Sequence, residues 1–447
     1  MTPAARTARP RWGRGLLGLL LVIAASWGAL LLAPPTGTGD PALVSVSPSD
    51  GATVKSPDEV RLTFDRPVPA GLVTVRMTVP SGDQVVEGPP QPVAGEENSV
   101  AVPMPLTRYG GTYSVAWSVP SSTLEPITGS SRFHVFAPTP PVAVPQVPAG
   151  PSPVVGALHD VFRIAATAAF ALGTGLAFAL AAAWPAGVDH PPARRPITYA
   201  WCGLVVATLG AAVTFGGYAA RLPVTEAFDP AVVAAGFASE IGGALLVRLL
   251  VLVPVTAALV QWLTGPYTAD PAQRGIRSAA VLAVAAAPAA TWALARPGHP
   301  PLAVAAEVAL LLAVAVCAGG PVLLWVLMRT AGDAVLRLAV PRLARLMPVA
   351  GVLLLVIAPV AAAGWRLVAL LVLGVLSAAT GLAGRWWVRR RAGARGRDAS
   401  GRARLRRLAA IAAAAVAAAL LGSAVPASGS ALLAQPDGGP APAEVAR

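Results

Sequence analysis

The side chains with the clearest chemical potential are five charged residues that lie within long apolar stretches of the sequence. Asp160 and Arg163 are three residues apart, and Glu240 and Arg248 are eight apart, so each pair shares a face if its stretch is helical. Glu307 lies near the start of a further apolar stretch. Charged groups are costly inside a bilayer and usually face a partner or a cavity. They predict either a polar pathway for a cation or proton, or pairing at a membrane edge.

Few side chains could hold a transition metal. The four histidines are far apart in the sequence, and the two cysteines, Cys202 and Cys317, fall inside apolar runs. A thiolate suits copper(I), so Cys317, which lies beside a glycine pair, is a candidate ligand, and packing as a small apolar residue is the alternative. The sequence has no nucleotide-binding loop, hydrolase elbow or zinc-protease motif, so we expect no enzyme.

The amino-acid composition predicts the class of protein in which these residues lie. Of 447 residues, 55% are hydrophobic and only 12% are charged, yet the net charge is +13. A soluble protein of this length needs more charged surface, so the chain is predicted to be an integral membrane protein. Residues 1–39 carry four arginines before an apolar run, which fits either a cleaved signal peptide or a retained membrane anchor.

Residues 40–137 have a polar composition with alternating apolar and polar side chains. Five runs show this period of two: 59–64, 72–79, 99–104, 112–119 and 131–136. Short strands at this spacing predict an all-β immunoglobulin-like sandwich, with Phe64, Tyr113 and Trp117 in its core. Residues 138–154 are proline-rich and are predicted to form an extended linker.

Residues 155–425 are predicted to form an α-helical transmembrane bundle of eight spans. Each apolar stretch approaches the ~20 residues that a bilayer requires. The predicted spans are 157–183, 197–219, 237–263, 277–295, 302–328, 346–363, 366–384 and 408–425. Residues 426–447 are rich in Pro, Gly and Ala and are predicted to be a disordered extracytoplasmic tail.

Arginine distribution predicts the orientation of the bundle. Arginines are dense in the predicted loops 184–196, 264–276, 329–345 and 385–407 and sparse in the opposite ones. The positive-inside rule places these loops in the cytoplasm and the sandwich outside a multi-pass cell membrane. Arg385–Arg407 is then a topogenic segment at anionic lipid, with Trp386 and Trp387 at the interface, and we expect no nucleic-acid partner.

Residues 40–137 resemble the CopC-like copper-resistance domain. The similarity begins at ALVSVSPSDGATVKSPDEVRLTFDRPV, with a Ser-Pro-x-x-Gly turn and a Pro-x-x-Val-x-Leu-x-Phe strand, and ends with GGTYSVAWSVPSSTLEPITGSSRFHV. The helical half resembles the CopD-like membrane domain often fused to it, in the first-span Arg163 and the Gly-x-x-Leu-x-x-Arg stretch that ends at Arg248.

The resemblance also indicates where a metal would bind. Copper(II)-binding members start with a histidine and carry Asp-Gly-His before a Pro-x-x-Gly, whereas this chain starts at Asp40 and reads Thr123-Leu124-Glu125 there. The candidate metal ligands are therefore Asp40, Glu125, His134 and Cys317. Copper is the candidate ion, although the family's histidine ligands are absent.

The resemblance implies copper uptake or resistance at the cell envelope, in which the sandwich captures or delivers the ion and the bundle passes it. The alternative is a sandwich without ligands that serves as a membrane-anchored interaction module for an envelope protein. A third interpretation is a transporter of another small solute or of protons on the same bundle, which would depend on Arg248 or Glu307.

Overall fold

A computed structural model shows a β domain followed by a bundle of long helices. It describes residues 41–85, 90–104, 109–120, 126–140, 144, 152–264, 271–294, 301–361, 364–393, 403, 405–412 and 414. The predicted leader at 1–39, the tail at 426–447, Asp40 and Glu125 lie outside these residues.

The described residues of the β domain form nine strands in two sheets. Their bounds are Leu43–Ser47 (β1), Thr53–Val54 (β2), Glu59–Phe64 (β3), Thr74–Thr78 (β4), Gln84–Val85 (β5), Gln91–Val93 (β6), Glu96–Pro103 (β7), Gly111–Pro120 (β8) and Pro126–Val135 (β9). One sheet has the order β1-β3-β7-β6 and the other β2-β9-β8-β4-β5. All five predicted strands are present, and the four short strands β1, β2, β5 and β6 are additional.

A single apolar cluster joins the two sheets. Strand β3 alternates strictly between partly and fully buried side chains, as its sequence pattern requires. The predicted core residues Phe64, Tyr113 and Trp117 are all buried, with exposed fractions of 1%, 0% and 5%. Phe64 of one sheet meets Trp117 of the other edge-on, with ring centroids 5.9 Å apart. The sheets therefore bury their inner faces against each other.

Strands β8 and β9 define one end of this domain. Their last antiparallel pair is Pro120 with Pro126. We call this end the hairpin pole. Trp117 lies three residues from it and contacts Phe64, which pairs with Leu43 of β1. The first residue of β1, Leu43, and the pair Pro120 with Pro126 therefore lie at the same pole.

The described residues between 153 and 393 include nine α-helices. Their bounds are Pro153–Ala183 (α1), Pro191–Ala219 (α2), Val224–Ala227 (α3), Pro230–Ala238 (α4), Glu240–Thr264 (α5), Pro271–Leu294 (α6), Pro301–Thr330 (α7), Asp333–Ala361 (α8) and Gly364–Gly393 (α9). The N-cap Ser152 accepts a hydrogen bond from the Val155 N–H at 3.3 Å. The first helix thus begins inside the segment 138–154 that was predicted to be linker.

Six of these helices are long and apolar enough to cross a bilayer: α1, α2, α5, α7, α8 and α9. Within α6, the apolar part is the shorter stretch Ala279–Ala293. The eighth predicted span, 408–425, falls largely outside the described residues. Residues 405–412 are helical, and Leu405 and Ala409 are buried in the same apolar cluster as α1 and α7. The length and apolar composition of these helices are those of a membrane protein.

Small residues bring α1 and α7 into backbone contact. A Cβ at Gly175 would overlap the Ala315 carbonyl oxygen, and a Cβ at Gly319 would overlap the Gly175 backbone. Glycine is therefore required at both positions, as expected where two helices in a membrane approach closely.

Two sequence predictions about the arginine-rich segments 329–345 and 385–407 are wrong. The loop predicted at 329–345 is only two residues long, because α7 continues to Thr330 and α8 begins at Asp333. Trp387 is not at an interface, since it is 2% exposed within the apolar cluster, whereas Trp386 is 42% exposed. Tertiary packing of α9 against its neighbours buries one indole of the pair.

Candidate functional site

The β domain sits against the bundle at a small docking contact. Thr74 donates a hydrogen bond from its hydroxyl to the Ala220 carbonyl oxygen at 3.1 Å. Gly71, in the short 3-10 helix Ala70–Leu72, approaches α4 so closely that a Cβ there would lie 2.7 Å from the Ala235 Cβ. Since Thr74 pairs with Ser118, two residues from Pro120, the docking contact lies beside the hairpin pole.

A buried histidine lies just inside the bundle from this contact. His159 of α1 is 5% exposed and its imidazole stacks on the Tyr218 ring of α2, with centroids 4.5 Å apart. Its Nδ1 atom is 3.1 Å from the Thr214 hydroxyl oxygen. Tyr218 precedes the docking residue Ala220 by two positions. We call His159, Thr214 and Tyr218 the histidine cluster.

Hydrogen bonding determines the tautomer of His159. The single hydroxyl hydrogen of Thr214 is donated to a carbonyl oxygen of its own helix, at 2.8 Å for Gly210 or 3.3 Å for Ala211. Toward the imidazole, the hydroxyl oxygen can therefore only accept. The proton on His159 Nδ1 is then the one that the Thr214 hydroxyl oxygen accepts.

The predicted pair Asp160 and Arg163 lies on the same helix as His159. The Arg163 Nη2 atom donates to the Asp160 Oδ1 atom at 3.0 Å, and both side chains are partly exposed. The prediction that these two residues share a helix face is confirmed. The two residues form an ion pair on the helix that carries His159.

Arg248 occupies a second polar position, between α5 and α6. Its side chain is 6% exposed, and its guanidinium lies 3.8 Å from the centroid of the Trp292 ring. The Nε atom donates to the Thr291 hydroxyl oxygen at 2.8 Å, and Nη2 donates to the Thr291 carbonyl oxygen at 3.3 Å. We call these three residues the arginine site.

The other residues predicted in the bundle are Cys317, Glu307 and Glu240. Cys317 of α7 is fully buried among the apolar side chains of Ala350, Leu354 and Leu373. Glu307 lies near the start of α7 and is partly exposed. Glu240 begins α5, and its side chain is outside the described part of the chain.

In the β domain, His134 lies far from the hairpin pole. It is the ninth residue of β9, about 26 Å along the strand from Pro126, which directly follows Glu125. Its Nδ1 atom is 3.0 Å from the Thr112 hydroxyl oxygen, which donates its hydrogen to the Thr139 carbonyl oxygen at 2.7 Å. Nδ1 of His134 is therefore the donor. Among the described residues, no group of three or more His, Cys, Asp or Glu could hold a metal ion.

Sequence reasoning missed two features of this region. His159 was counted among scattered histidines, although the run His159-Asp160-x-x-Arg163 at the start of a span signals polar side chains within one turn of each other. The docking contact had no signal in the sequence, because Thr74 and Ala220 are distant in the chain and ordinary in type.

Comparisons with known proteins give the following matches. Residues 43–136 match the family model described as the CopC domain. Copper resistance protein C of Xanthomonas campestris pv. juglandis is 31% identical over 130 residues, which cover 27% of this chain and 96% of that protein.

Two solved structures also align. CopC from Methylosinus trichosporium OB3b is 25% identical and covers 23% of this chain and 99% of its own, with a TM-score of 0.20. PcoC from Escherichia coli, described as a methionine-rich copper resistance protein, is 25% identical over 21% of this chain and 97% of its own, with a TM-score of 0.19.

Proposed function

This chain belongs to the CopC family of copper resistance proteins through its β domain, and from that premise we propose that it handles copper at the cell envelope. In this proposal the β domain, an immunoglobulin-like sandwich, captures or delivers the ion, and a CopD-like bundle passes it across the membrane. No catalytic step is part of it, and copper is the cargo.

The observation that carries the proposal is the orientation of the β domain. In copper-binding relatives, by the resemblance described above, the ligands come from the start of the domain and from the β8–β9 connection. The described residues nearest to these segments, Leu43 and the pair Pro120 with Pro126, lie at the hairpin pole. The docking contact of Thr74 with Ala220 is beside that pole. An ion released there is delivered to the bundle and not to the opposite end of the domain.

The arginines support an extracytoplasmic β domain. Arg342 donates from Nη1 to the Ala183 carbonyl oxygen at 3.0 Å, and Arg385 donates from Nε to the Ala344 carbonyl oxygen at 2.9 Å. Arg342 thus satisfies the C-terminal end of α1, which is the end opposite to the docking contact. Positive side chains near this end fit the cytoplasmic face, and the β domain then lies outside.

Cellular copper content tests the proposal. Cells that express the chain should differ in copper content, measured by mass spectrometry, from cells that carry an empty vector. Gly71→Val forces a side chain against Ala235 and should return the copper content toward that of the vector. Gly332→Val is the matched control, because a Cβ at Gly332 meets nothing within 4 Å, and it should behave as wild type. Equal copper content with wild-type protein and with empty vector would refute copper handling.

A second candidate function is favoured by one observation. The described residues hold no metal-binding group, which fits a sandwich that retained the fold and lost its ligands. The domain would then dock an envelope protein. Copper(II) titration of residues 40–137 separates the two, since binding no tighter than that of a histidine-free control sandwich would favour the interaction module over copper capture.

A further inference from the structure

We propose that the outer face of the five-stranded sheet binds the phosphate groups of anionic phospholipids through Arg76 of β4 and Arg132 of β9. This inference concerns the contact of the β domain with the membrane surface and does not depend on copper handling. The outer face is the side of this sheet that points away from the four-stranded sheet. Its described residues on β4, β8 and β9 are Thr74, Arg76, Thr78, Thr112, Ser114, Ala116, Ser118, Thr128, Ser130, Arg132 and His134.

Strand register places the two arginines on the same face, on either side of β8. Arg76 pairs with Ala116 of β8, and Arg132 pairs with Ser114. The residue that follows each arginine lies in the apolar core, so the alternation of a strand turns both arginines outward. Two strand spacings and an offset of two residues put their Cα atoms about 12 Å apart. Arginine side chains are long enough for both guanidinium groups to reach one phosphate group between them.

Both arginines are open to an anionic ligand. Neither guanidinium forms an ion pair within the part of the chain that the structure describes, whereas Arg61 of β3 forms ion pairs with two glutamates. Asp50 accepts a hydrogen bond from the backbone N–H of Arg132 at 2.7 Å and not from its guanidinium. The planar guanidinium matches the oxygens of a phosphate group and can bind two of them at once.

Hydroxyl groups lie between the two arginines. Ser114 pairs with Thr78 of β4 on one side and with Arg132 on the other. The Thr78 side chain is 3% exposed, and its Oγ1 atom makes no hydrogen bond to any residue that the structure describes. A buried hydroxyl without a partner is costly. An oxyanion between the two arginines would supply the missing acceptor.

The outer face is turned toward the membrane end of the bundle. Thr74 projects from this face, and its hydroxyl donates to the carbonyl oxygen of Ala220, the C-cap residue of α2. Arg76 is two residues from Thr74 on the same strand and the same face. It therefore lies about 7 Å along β4 from a contact with the end of a helix that is long and apolar enough to span a bilayer.

Exposed apolar side chains place lipid beside this contact. Val224 and Phe228, in the segment that follows Ala220, are 43% and 42% exposed. Exposed apolar groups next to spanning helices mark a surface that meets the membrane. The phosphate groups nearest to Arg76 and Arg132 are then those of lipid headgroups, and basic residues at a membrane surface favour anionic lipids.

The experiment measures how close the outer face lies to the headgroups, with full-length protein in lipid nanodiscs. Ser130→Cys, in a background without native cysteines, carries a bimane fluorophore, because Ser130 is exposed on this face opposite Ala116. The quencher is a phosphatidylcholine with a nitroxide on its headgroup, present at the same fraction in every disc. We expect stronger quenching in discs that contain phosphatidylglycerol than in discs of phosphatidylcholine alone. High salt should reduce the difference, because it screens the charges.

Arg76→Gln combined with Arg132→Gln is the test variant. Each arginine near an anionic surface contributes about a fivefold preference for the bound position, so the double variant should show no extra quenching with phosphatidylglycerol. Arg61→Gln combined with Arg66→Gln is the matched control, since it removes the same charge from arginines that already have carboxylate partners. The control should behave as wild type. Equal quenching in the two double variants would overturn the proposal.

A lysine variant separates charge from packing. Arg76→Lys combined with Arg132→Lys keeps both cations and should retain most of the extra quenching. A loss as large as in the glutamine variant would show that the arginines act by packing and would overturn binding through charge.

Inorganic phosphate tests the source of the phosphate group. At a concentration equal to that of the phosphatidylglycerol, it should leave the quenching unchanged, because lipids in the adjoining leaflet have a far higher effective concentration. Loss of quenching with phosphate, but not with chloride at the same ionic strength, would show a site for the free ion and would overturn the lipid assignment.

Discussion

At the residue scale, the bundle contains a buried cation that is stabilised without a carboxylate among its described contacts. The Arg248 guanidinium lies over the Trp292 ring and donates twice to Thr291, and the Thr291 hydroxyl in turn donates to the Pro288 carbonyl oxygen at 2.6 Å. The hydroxyl is thus oriented with its oxygen toward the guanidinium. Burial of a charge is costly unless it is hydrogen-bonded, and here the aromatic face and the two acceptors offset that cost.

The arginine site predicts a specific loss of stability. Arg248→Lys keeps the charge but loses the planar stacking and the Nε hydrogen bond, so we expect the bundle to be destabilised by about 2 kcal/mol. Thermal unfolding in detergent, followed by circular dichroism, measures the change. Trp292→Phe, which keeps an aromatic ring, should cost less than Trp292→Leu. A lysine variant as stable as wild type would show that the contacts with Trp292 and Thr291 contribute little.

The two described histidines with threonine partners follow the same rule. Thr112 orients His134 and Thr214 orients His159, in each case because the hydroxyl hydrogen is already donated to a carbonyl oxygen. Their surroundings differ. His134 is partly exposed at the end of β9 that lies away from the bundle, whereas His159 is buried beside the docking contact. The two histidines therefore share a hydrogen-bonding pattern and differ in burial and in location.

At the element scale, the helices begin where the sequence has proline. Proline is the first residue of α1, α2, α4, α6 and α7, where its missing N–H is not needed. The same signal, applied to Pro153, would have placed the start of α1 inside the predicted linker. Prolines within helices, such as Pro321 and Pro348, give no such boundary, since neighbouring helices in a bundle tolerate them.

The close contact of α1 with α7 predicts a strong effect of small substitutions. Gly319→Ala adds a single methyl group, yet the methyl overlaps the Gly175 backbone, so the helices must separate and the apolar cluster around Cys317 must loosen. We expect a cost of about 1–3 kcal/mol, as for other overpacked interiors, measured as a lower unfolding temperature in detergent. Gly332→Ala is the control with open space. Equal stability of the two variants would contradict the contact.

At the scale of the whole molecule, the β domain and the bundle are in direct contact. The β domain contacts the bundle through residues 70–74, beside the hairpin pole, and Tyr218 of the histidine cluster lies two residues before Ala220. The family match identifies the β domain as a CopC domain. The orientation of this domain on the bundle supports the proposed transfer of copper from the β domain to the bundle.

The arrangement predicts the sidedness of the membrane protein. Val44 is 66% exposed on the β domain, and Gly332 is exposed between α7 and α8. In a background without native cysteines, Val44→Cys should react with a membrane-impermeant maleimide on intact cells. Gly332→Cys should react only after permeabilisation. The reverse labelling pattern would place the β domain in the cytoplasm.

The sequence by itself determined the class of each half of the protein. Alternation of apolar residues predicted all five longer strands and the core of Phe64, Tyr113 and Trp117, because a two-sheet domain must bury every second side chain. Apolar length predicted the six spanning helices that the structure describes. It did so because lipid leaves the backbone no other partner for its hydrogen bonds. The pairing of Asp160 with Arg163 also followed from local spacing.

Only the tertiary structure decided which polar residues meet. His159 with Thr214, Arg248 with Thr291 and Thr74 with Ala220 are separated by 55, 43 and 146 positions in the chain. No local period encodes such contacts, since they depend on how helices and sheets approach one another. The same reason explains why Trp387 is buried while Trp386 beside it is exposed. The sequence therefore specified a β domain followed by apolar helices, and the fold specified which residues of the two parts meet.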